Sequence, residues 1–235
     1  MKRIVYVGMD VHLNSYTLCC FETVMFGEDK VFGQMQMGPS VSNVLRYVTK
    51  IAERYEESSA SIRFICGYEA GFAGYSLYHE LIAAGLECLI LAPSTMVERP
   101  KHKIKTDKRD AEHIARCLAY GTYKPVHVPA EEDEQVRDYL RMRNDHQLTF
   151  KTIKQQINAF CLRLGLRSPG RSKWTQAHLR WLHQLELSAL DREILDEYLI
   201  TYEMAANRIS LFDQRIEELA AGDRYRDKVK RLSCF

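Results

Sequence analysis

Four carboxylates in the first half of the chain have the positions of active-site acids: Asp10, Glu69, Asp107 and Asp110. Asp10 and Glu69 each close an apolar run typical of a β-strand. Asp107 and Asp110 are three residues apart where a helical pattern begins, so they face one way on its first turn. Carboxylates gathered at one sheet edge repel one another and are costly to keep ionised unless cations lie among them. Two Mg²⁺ ions about 4 Å apart meet that need and clamp a phosphodiester, so the acids predict metal-dependent chemistry on nucleic acid.

The elements that must position these acids alternate between strands and helices up to about Pro129. Hairpin-like links join the first three predicted strands, and helix, strand, helix, strand and helix follow. The predicted strands span 2–10, 16–22, 31–37, 62–68 and 87–92, and the predicted helices begin near 40, 74 and 106. This is the order of a ribonuclease H-like domain, in which the acids come from strand one, strand four and a late helix. The positions of the acids agree with it.

The strand pattern ends at Ala130, and the rest of the chain is predicted to be helical. One long helix is predicted over 131–166, with a break at 168–170. The last helix carries an apolar heptad run: Leu195, Tyr198, Tyr202, Ala205, Ile209, Phe212, Ile216 and Leu219. That length favours a coiled coil, although a two-helix hairpin within one chain remains open. The predicted fold is therefore an α/β ribonuclease H-like (RuvC-like) domain with a mixed sheet over 1–129 and an all-α coiled-coil region over 130–235.

Charge is unevenly distributed although the formal net charge is only +2. The segment from Arg137 to Arg180 contains ten Lys or Arg and two acids. The segment from Trp181 to Asp223 contains ten acids and three Arg. A basic block of this kind indicates a surface for a polyanion, with two ordinary charged helix faces as the alternative. The candidate phosphate contacts are Arg99, Lys101, Lys103, Lys105, Lys108, Arg109, Arg137, Arg141, Lys151 and Lys154. Contacts to phosphate supply affinity that is independent of sequence and sensitive to salt.

Several other classes of protein are disfavoured. The seven cysteines are odd in number and lack C-x-x-C spacing, and no apolar run approaches the roughly 18 residues of a membrane span. These features, with no signal peptide before the first strand, predict a reduced, cytoplasmic protein. No glycine-rich phosphate loop follows a strand, which weakens a kinase of the actin or hexokinase type. His12 lies two residues after Asp10 and could touch substrate, but a structural or solvent role is favoured.

Taken in order, the motifs resemble one family of transposases. They are Gly8–His12, Gly67–Gly71 with Gly74-Tyr75, Lys105–Ala111, Val126–Pro129, Arg137-Asp138 and Trp174–His178. They look like the DEDD motifs of the insertion-sequence transposases of family one hundred and ten, which are related to the Piv-type invertases. Any one motif is weak, but all of them in order are specific, and together they cover essentially the whole chain.

The resemblance implies metal-dependent cleavage and exchange of DNA strands by an oligomer, guided by a structured RNA. Carried over by motif, Asp10, Glu69, Asp107 and Asp110 hold Mg²⁺ or Mn²⁺. Family members continue into a domain with a serine in a Ser/Gly-rich motif, and Ser233 has no such context, so the chain is expected to be truncated before that domain. The alternatives are a stand-alone junction-resolving nuclease and a non-catalytic nucleic-acid-binding or assembly fragment. The expected oligomer is a homodimer, or a higher even-numbered assembly, formed through residues after about 180.

Overall fold

The structure is a computed structural model that describes residues 3–24, 27–56, 62–97 and 106–234. It divides into two compact units, Met1–Val128 and Pro129–Phe235, and each unit is considered by itself. Within the described residues, no helix combines the length and the apolar character that a membrane crossing requires.

The first unit is built on a five-stranded mixed sheet. Its strands are β1 (Arg3–Val11), β2 (Tyr16–Glu22), β3 (Lys30–Met37), β4 (Ile62–Glu69) and β5 (Glu87–Leu91). The spatial order is β3-β2-β1-β4-β5. The pairs β1–β2 and β2–β3 are antiparallel, whereas β1–β4 and β4–β5 are parallel. The chain therefore forms a meander first and then adds two parallel strands through helical crossovers.

Helices lie on both faces of this sheet: α1 (Val41–Glu56), α2 (Ser76–Ala83) and α3 (Asp107–Tyr120). Successive side chains of β1 point to opposite faces of the sheet and therefore pack in different hydrophobic clusters. Val5, Val7 and Met9 pack in the cluster that contains α1, while Tyr6 packs with Ile114 of α3. Strand order, pairing directions and helix placement confirm the predicted α/β ribonuclease H-like fold followed by helices.

The second unit is all helical, with α4 (Glu131–Arg163), α5 (Gln176–Gln184), α6 (Ala189–Ala221) and α7 (Arg226–Leu232). The sequence did not predict α7. The 33-residue helices α4 and α6 run antiparallel. The Phe150 ring contacts the Tyr202 ring, and Arg143, earlier in α4, forms a bidentate ion pair with Asp213, later in α6.

Charged groups close the open end of this helix pair. Asp133 near the start of α4 accepts hydrogen bonds from the Arg224 guanidinium at 2.8 Å and from the Tyr225 hydroxyl at 2.5 Å. The Arg224 interaction, followed by that of Tyr225, holds the pKa of the Asp133 carboxyl well below its usual range. The turn between α6 and α7 is thereby tied to the first turn of α4.

The heptad run of α6 favoured a coiled coil, with a two-helix hairpin within one chain as the alternative. In the structure, α4 of the same chain covers this stripe. Leu195 is fully buried, and Tyr202, Ile209 and Phe212 are 7%, 8% and 9% exposed. Leu195, Tyr202 and Ile209 belong to a hydrophobic core that includes residues of α4. Phe212 makes an edge-to-face ring contact with Tyr139 of α4. The two long amphipathic helices satisfy each other within one chain, so the hairpin alternative describes this stripe.

All seven cysteines are free thiols, and Cys234 alone among them is exposed. Burial raises the pKa of Cys19 to about 11 and that of Cys88 to about 12. Thiols of this kind behave as small apolar core residues rather than as nucleophiles.

Candidate active site

Asp10, His12 and Asp107 come together at the carboxyl end of β1. His12 Nε2 lies 3.2 Å from Asp10 Oδ2 and 4.0 Å from Asp107 Oδ1. One ligand atom from each of the three lies within 4.8 Å of the others. In the part of the chain that is described, no other group of three or more His, Cys, Asp or Glu side chains is this compact. The two carboxylates at this spacing fit one divalent cation, and the imidazole of His12 lies within hydrogen-bond distance of Asp10.

The alternation of β1 explains why these residues meet. Gly8 faces α3, and residues two apart on a strand point to the same side, so Asp10 also faces α3. His12 continues this period just beyond the strand, where the His12 amide donates to the Ser15 carbonyl at 2.9 Å. The signal for this is the position of His12 two residues after Asp10, whereas the sequence pattern alone favours a structural or solvent role for the histidine.

Two glycines let α3 approach the sheet closely enough to complete the cluster. Gly8 of β1 and Gly67 of β4 are register partners in the parallel pair. A Cβ on Gly8 would lie 2.0 Å from the Ala111 carbonyl oxygen and 2.3 Å from the Ala115 nitrogen. On Gly67 it would lie 2.8 Å from both terminal methyl carbons of Leu118. The backbone of α3 therefore rests directly on β1, which is possible only where no side chain intervenes.

The start of α3 is fixed by a cap, and this places Asp107. Thr106 has an extended backbone, and its Oγ1 accepts a hydrogen bond from the Arg109 amide at 3.4 Å. Asp107 is then the first residue of the helix, half-exposed beside His12. Lys108 and Arg109 follow on the exposed surface of the same turn. Cations therefore flank the carboxylates, as a site for a phosphodiester requires.

Glu69 and Asp110 occupy the same region but lie outside the compact cluster. Met9 pairs with Tyr68, so the next residues, Asp10 and Glu69, are neighbours at the ends of adjacent parallel strands. The side chain of Glu69 is exposed and does not join the group around Asp10. Asp110 is one turn beyond Asp107 on the buried side of α3, where it is 6% exposed. Their predicted role as metal ligands stays a prediction.

Apart from Lys108 and Arg109 on α3, the candidate phosphate contacts fall into three groups. Arg99, Lys101, Lys103 and Lys105 lie outside the described residues. Arg137, Arg141 and Lys151 are exposed on α4, where Arg141 pairs with Asp138 at 2.6 Å. Lys154 is only half-exposed, because its ammonium lies 3.9 Å from the centre of the Phe150 ring. Lys154 is therefore engaged with an aromatic face of the helical core.

Comparison with protein families matches residues 7–164 to the transposase family DEDD_Tnp_IS110. The chain belongs to this family of IS110-type DEDD transposases. The matched range contains all four predicted acids: Asp10, Glu69, Asp107 and Asp110. The match begins within β1 and ends at the residue that follows α4, so it covers nearly all of the α/β unit and the first long helix of the second unit.

Two relatives extend the family match along the chain. "Transposase for insertion sequence element IS1533" of Leptospira borgpetersenii is 32% identical over 238 residues, covering 100% of this chain and 66% of the relative. "Putative transposase y4qE" of Sinorhizobium fredii (strain NBRC 101917 / NGR234) is 32% identical over 242 residues, covering 99% and 60%. The chain thus spans less than two-thirds of the length of either transposase.

Solved structures similar to this IS110-family chain include two of RuvC. "Thermus thermophilus RuvC structure" has a TM-score of 0.34 and 15% identity, covering 52% of this chain and 99% of RuvC. "T. thermophilus RuvC in complex with Holliday junction substrate" has a TM-score of 0.33 and 13% identity, with the same coverage. The fold assignment depends on the strand order and pairing described above rather than on these scores.

Proposed function

We propose that this chain is the nuclease and assembly portion of an insertion-sequence transposase that cleaves DNA strands with bound Mg²⁺ or Mn²⁺. The observation that carries the proposal is the convergence of Asp10 and Asp107 from two different elements within 4.8 Å, in a family of DEDD transposases. Glu69 and Asp110 complete the proposed ligand set. Oxygen ligands of this kind are those that Mg²⁺ and Mn²⁺ prefer in proteins.

Each residue of the site has a distinct part in the proposed chemistry. A divalent cation held at this site would supply polarisation of the phosphodiester and a lowered pKa for the attacking water. Asp10 and Asp107 would hold the cation, and His12, within hydrogen-bond distance of Asp10, fixes the orientation of that carboxylate. Lys108 and Arg109 on the exposed turn of α3 bind the neighbouring phosphates, which orients the strand without reading its sequence.

The nucleic-acid partners are DNA and a structured guide RNA. The support for DNA is the transposase family itself, together with the basic surface of α4 that contains Arg137, Arg141 and Lys151. Guidance by RNA is part of the proposal because of the family resemblance. The proposal includes DNA recombination by the whole transposase, of whose length this chain spans less than two-thirds in either relative.

A cleavage assay tests the proposed function. Labelled DNA carrying the ends of the insertion sequence is incubated with the chain and RNA transcribed from those ends, with Mg²⁺, Mn²⁺ or a chelator. We expect strand cleavage that requires the divalent ion and increases with the RNA. Cleavage that persists in chelator contradicts the metal role. Symmetrical cutting of any four-way junction without RNA favours the junction-resolving nuclease instead.

The proposal includes a homodimer formed through a second, exposed stripe of α6. The stripe comprises Leu190, Ile194, Glu197, Thr201, Met204, Arg208, Leu211 and Arg215, which recur every three or four residues. Leu190, Met204 and Leu211 are 66%, 65% and 56% exposed, which is unusual for apolar side chains on one helix face. This stripe, rather than the buried heptad run, is available for pairing.

The stripe is complementary to itself when two copies of α6 run antiparallel. A two-fold axis near residue 203 places Ile194 opposite Leu211 of the second copy. The same axis places Glu197 opposite Arg208 and Thr201 opposite Met204. Ile194 thus meets an apolar side chain, and Glu197 meets a base, a charge pairing of the kind that selects orientation in coiled coils. A pair of this kind unites two carboxylate sites in one particle.

A charge reversal tests this dimer. Glu197→Arg or Arg208→Glu alone places like charges opposite each other, and we expect either to weaken the dimer at least about tenfold. The double variant restores opposite charges and should recover the parental affinity. Mass is measured by light scattering and sedimentation over tens of micromolar and below, with Glu217→Arg, outside the stripe, as the control. A monomeric parent, or a double variant no better than the singles, rejects the interface.

A further inference from the structure

The helical unit contains a recess that the proposed nuclease chemistry does not use. It lies between the end of α4, the loop that follows it and α5, and has a volume of about 210 Å³. Its buried lining includes Cys161, His178 and Leu182, with Trp181 half-buried beside them. Its exposed lining includes Arg167 and Lys173. An apolar, aromatic interior with a cationic rim is unusual on the surface of a helix pair.

His178 is the polar group in this interior. It is 5% exposed, and its Nδ1 has no hydrogen-bond partner among the described residues. A buried polar atom without a partner costs free energy that a ligand can recover. Burial, and secondarily the positive charge of Lys173, lowers the pKa of His178. The imidazole is therefore neutral near pH 7 and offers one donor and one acceptor rather than a positive charge.

The loop before α5 is held so that the recess is preformed. Trp174 has a φ of 64°, in the left-handed region that residues other than glycine rarely occupy. Its ring stacks on Tyr202 of α6 at 5.2 Å and meets the His178 ring edge-on at 5.3 Å. Thr175 then caps α5 by accepting a hydrogen bond from the His178 amide at 3.3 Å. Backbone strain of this kind persists where the surroundings fix a functional geometry.

Size and chemistry together define the ligand. A volume of about 210 Å³ is smaller than the recesses that hold whole cofactors, which begin at roughly 300 Å³. A neutral imidazole suits the hydrogen-bonding edge of an uncharged ring, and Trp181 supplies an aromatic surface for stacking. Arg167 and Lys173 at the rim suit a phosphate attached to that ring. Lys173 also donates to the Asn158 side chain at 3.0 Å, which holds its ammonium at the edge of the recess.

We propose that this recess captures one unpaired nucleobase from a single-stranded segment of nucleic acid, with the base inside and its phosphate at the Arg167–Lys173 rim. Bases that are splayed out of a strand are recognised in this way, by aromatic stacking and by hydrogen bonds to their edges. The inference assumes, with the proposed function, that the chain binds nucleic acid. It gives the motif Trp174–His178 a role of its own, distinct from the carboxylate cluster.

The test uses the full chain with imidazole-labelled histidine, observed by NMR, and four probes: dT8, rU8, adenosine 5′-monophosphate and inorganic phosphate. We expect the first three to shift the His178 ring signals and to quench tryptophan fluorescence, and inorganic phosphate to do neither. Whichever of dT8 and rU8 binds more tightly identifies the source strand. His178→Leu removes the hydrogen bond to the edge of the base and should weaken oligonucleotide binding about tenfold. Lys173→Gln should weaken it severalfold.

Arg180→Gln is the matched control, because it removes the same charge from an exposed position on α5 outside the recess. It should leave the shifts of the His178 ring unchanged. Equal shifts with inorganic phosphate, or no shift with any nucleotide, overturn the proposal. If His178→Leu fails to fold by circular dichroism, the Lys173 and Arg180 variants still decide it. Asp10→Asn should abolish cleavage and leave this binding intact, so failure of the nuclease proposal is seen separately.

Discussion

Replacing Asp10 by Asn is expected to reduce Mn²⁺ affinity by roughly 100-fold or more and metal-dependent DNA cleavage by about 10³-fold. Asp10 belongs to the cluster, 3.2 Å from His12 and on the strand face that meets α3. An amide of the same shape keeps the packing but removes the negative charge that offsets the cation. The fold should therefore survive while the metal is lost.

Calorimetric titration with Mn²⁺ and thermal melts with and without the ion measure the effect. In the parent, Mn²⁺ should raise Tm, since a ligand that binds only the folded state stabilises it. The control is Glu53→Gln, which removes an exposed carboxylate from α1, on the opposite face of the sheet. An Asp10→Asn chain whose Tm responds to Mn²⁺ as strongly as the parent rejects the site.

The second large effect is expected from Gly8→Ala, which adds one methyl group and removes no chemical group from the site. The new Cβ would lie 2.0 Å from a carbonyl oxygen and 2.3 Å from an amide nitrogen of α3. Both atoms belong to the backbone, so no side-chain rotation relieves the clash and the helix must move away. We expect a loss of about 3 kcal/mol or more in the free energy of unfolding. A displacement of about 1 Å at Asp107 should cost about 10²-fold in cleavage.

Substitutions at two other glycines should lower the free energy of unfolding less than Gly8→Ala does. In Gly67→Ala the clash is with the terminal methyl carbons of Leu118 and Leu91, which can rotate, so the loss should be about 1 kcal/mol. In Gly38→Ala the added Cβ meets only the Asn43 side chain at 3.5 Å, an ordinary contact, and little change is expected. Urea unfolding monitored by circular dichroism measures the free energy of unfolding of the three variants and so ranks them. Equal stability of the Gly8 and Gly38 variants contradicts the close approach of α3.

The order of strands and helices in the first unit was predictable because each element carries a strong local signal. Apolar runs bounded by turns marked β1 and β4, and the cap at Thr106 with Gly121 beyond the last turn marked both ends of α3. These local patterns are enough to predict where a strand ends and where the first turn of a helix lies. The positions of Asp10 and Asp107 within their elements could therefore be predicted before the elements were assembled.

What covers each face was decided only by the tertiary structure. The α6 heptad run predicted an interface, yet its periodicity is the same whether α4 or a second chain covers it, and here α4 does. With that face of α6 buried, the exposed stripe that contains Met204 is the face of the helix left in contact with solvent.

Tertiary structure also selected the members of the cluster. His12 joins Asp10 and Asp107, whereas Glu69 points to solvent. The sequence determined which residues end each element, because that depends on neighbours along the chain. Distances between side chains depend on how closely the elements pack, and at this site that closeness is set by a missing Cβ at Gly8.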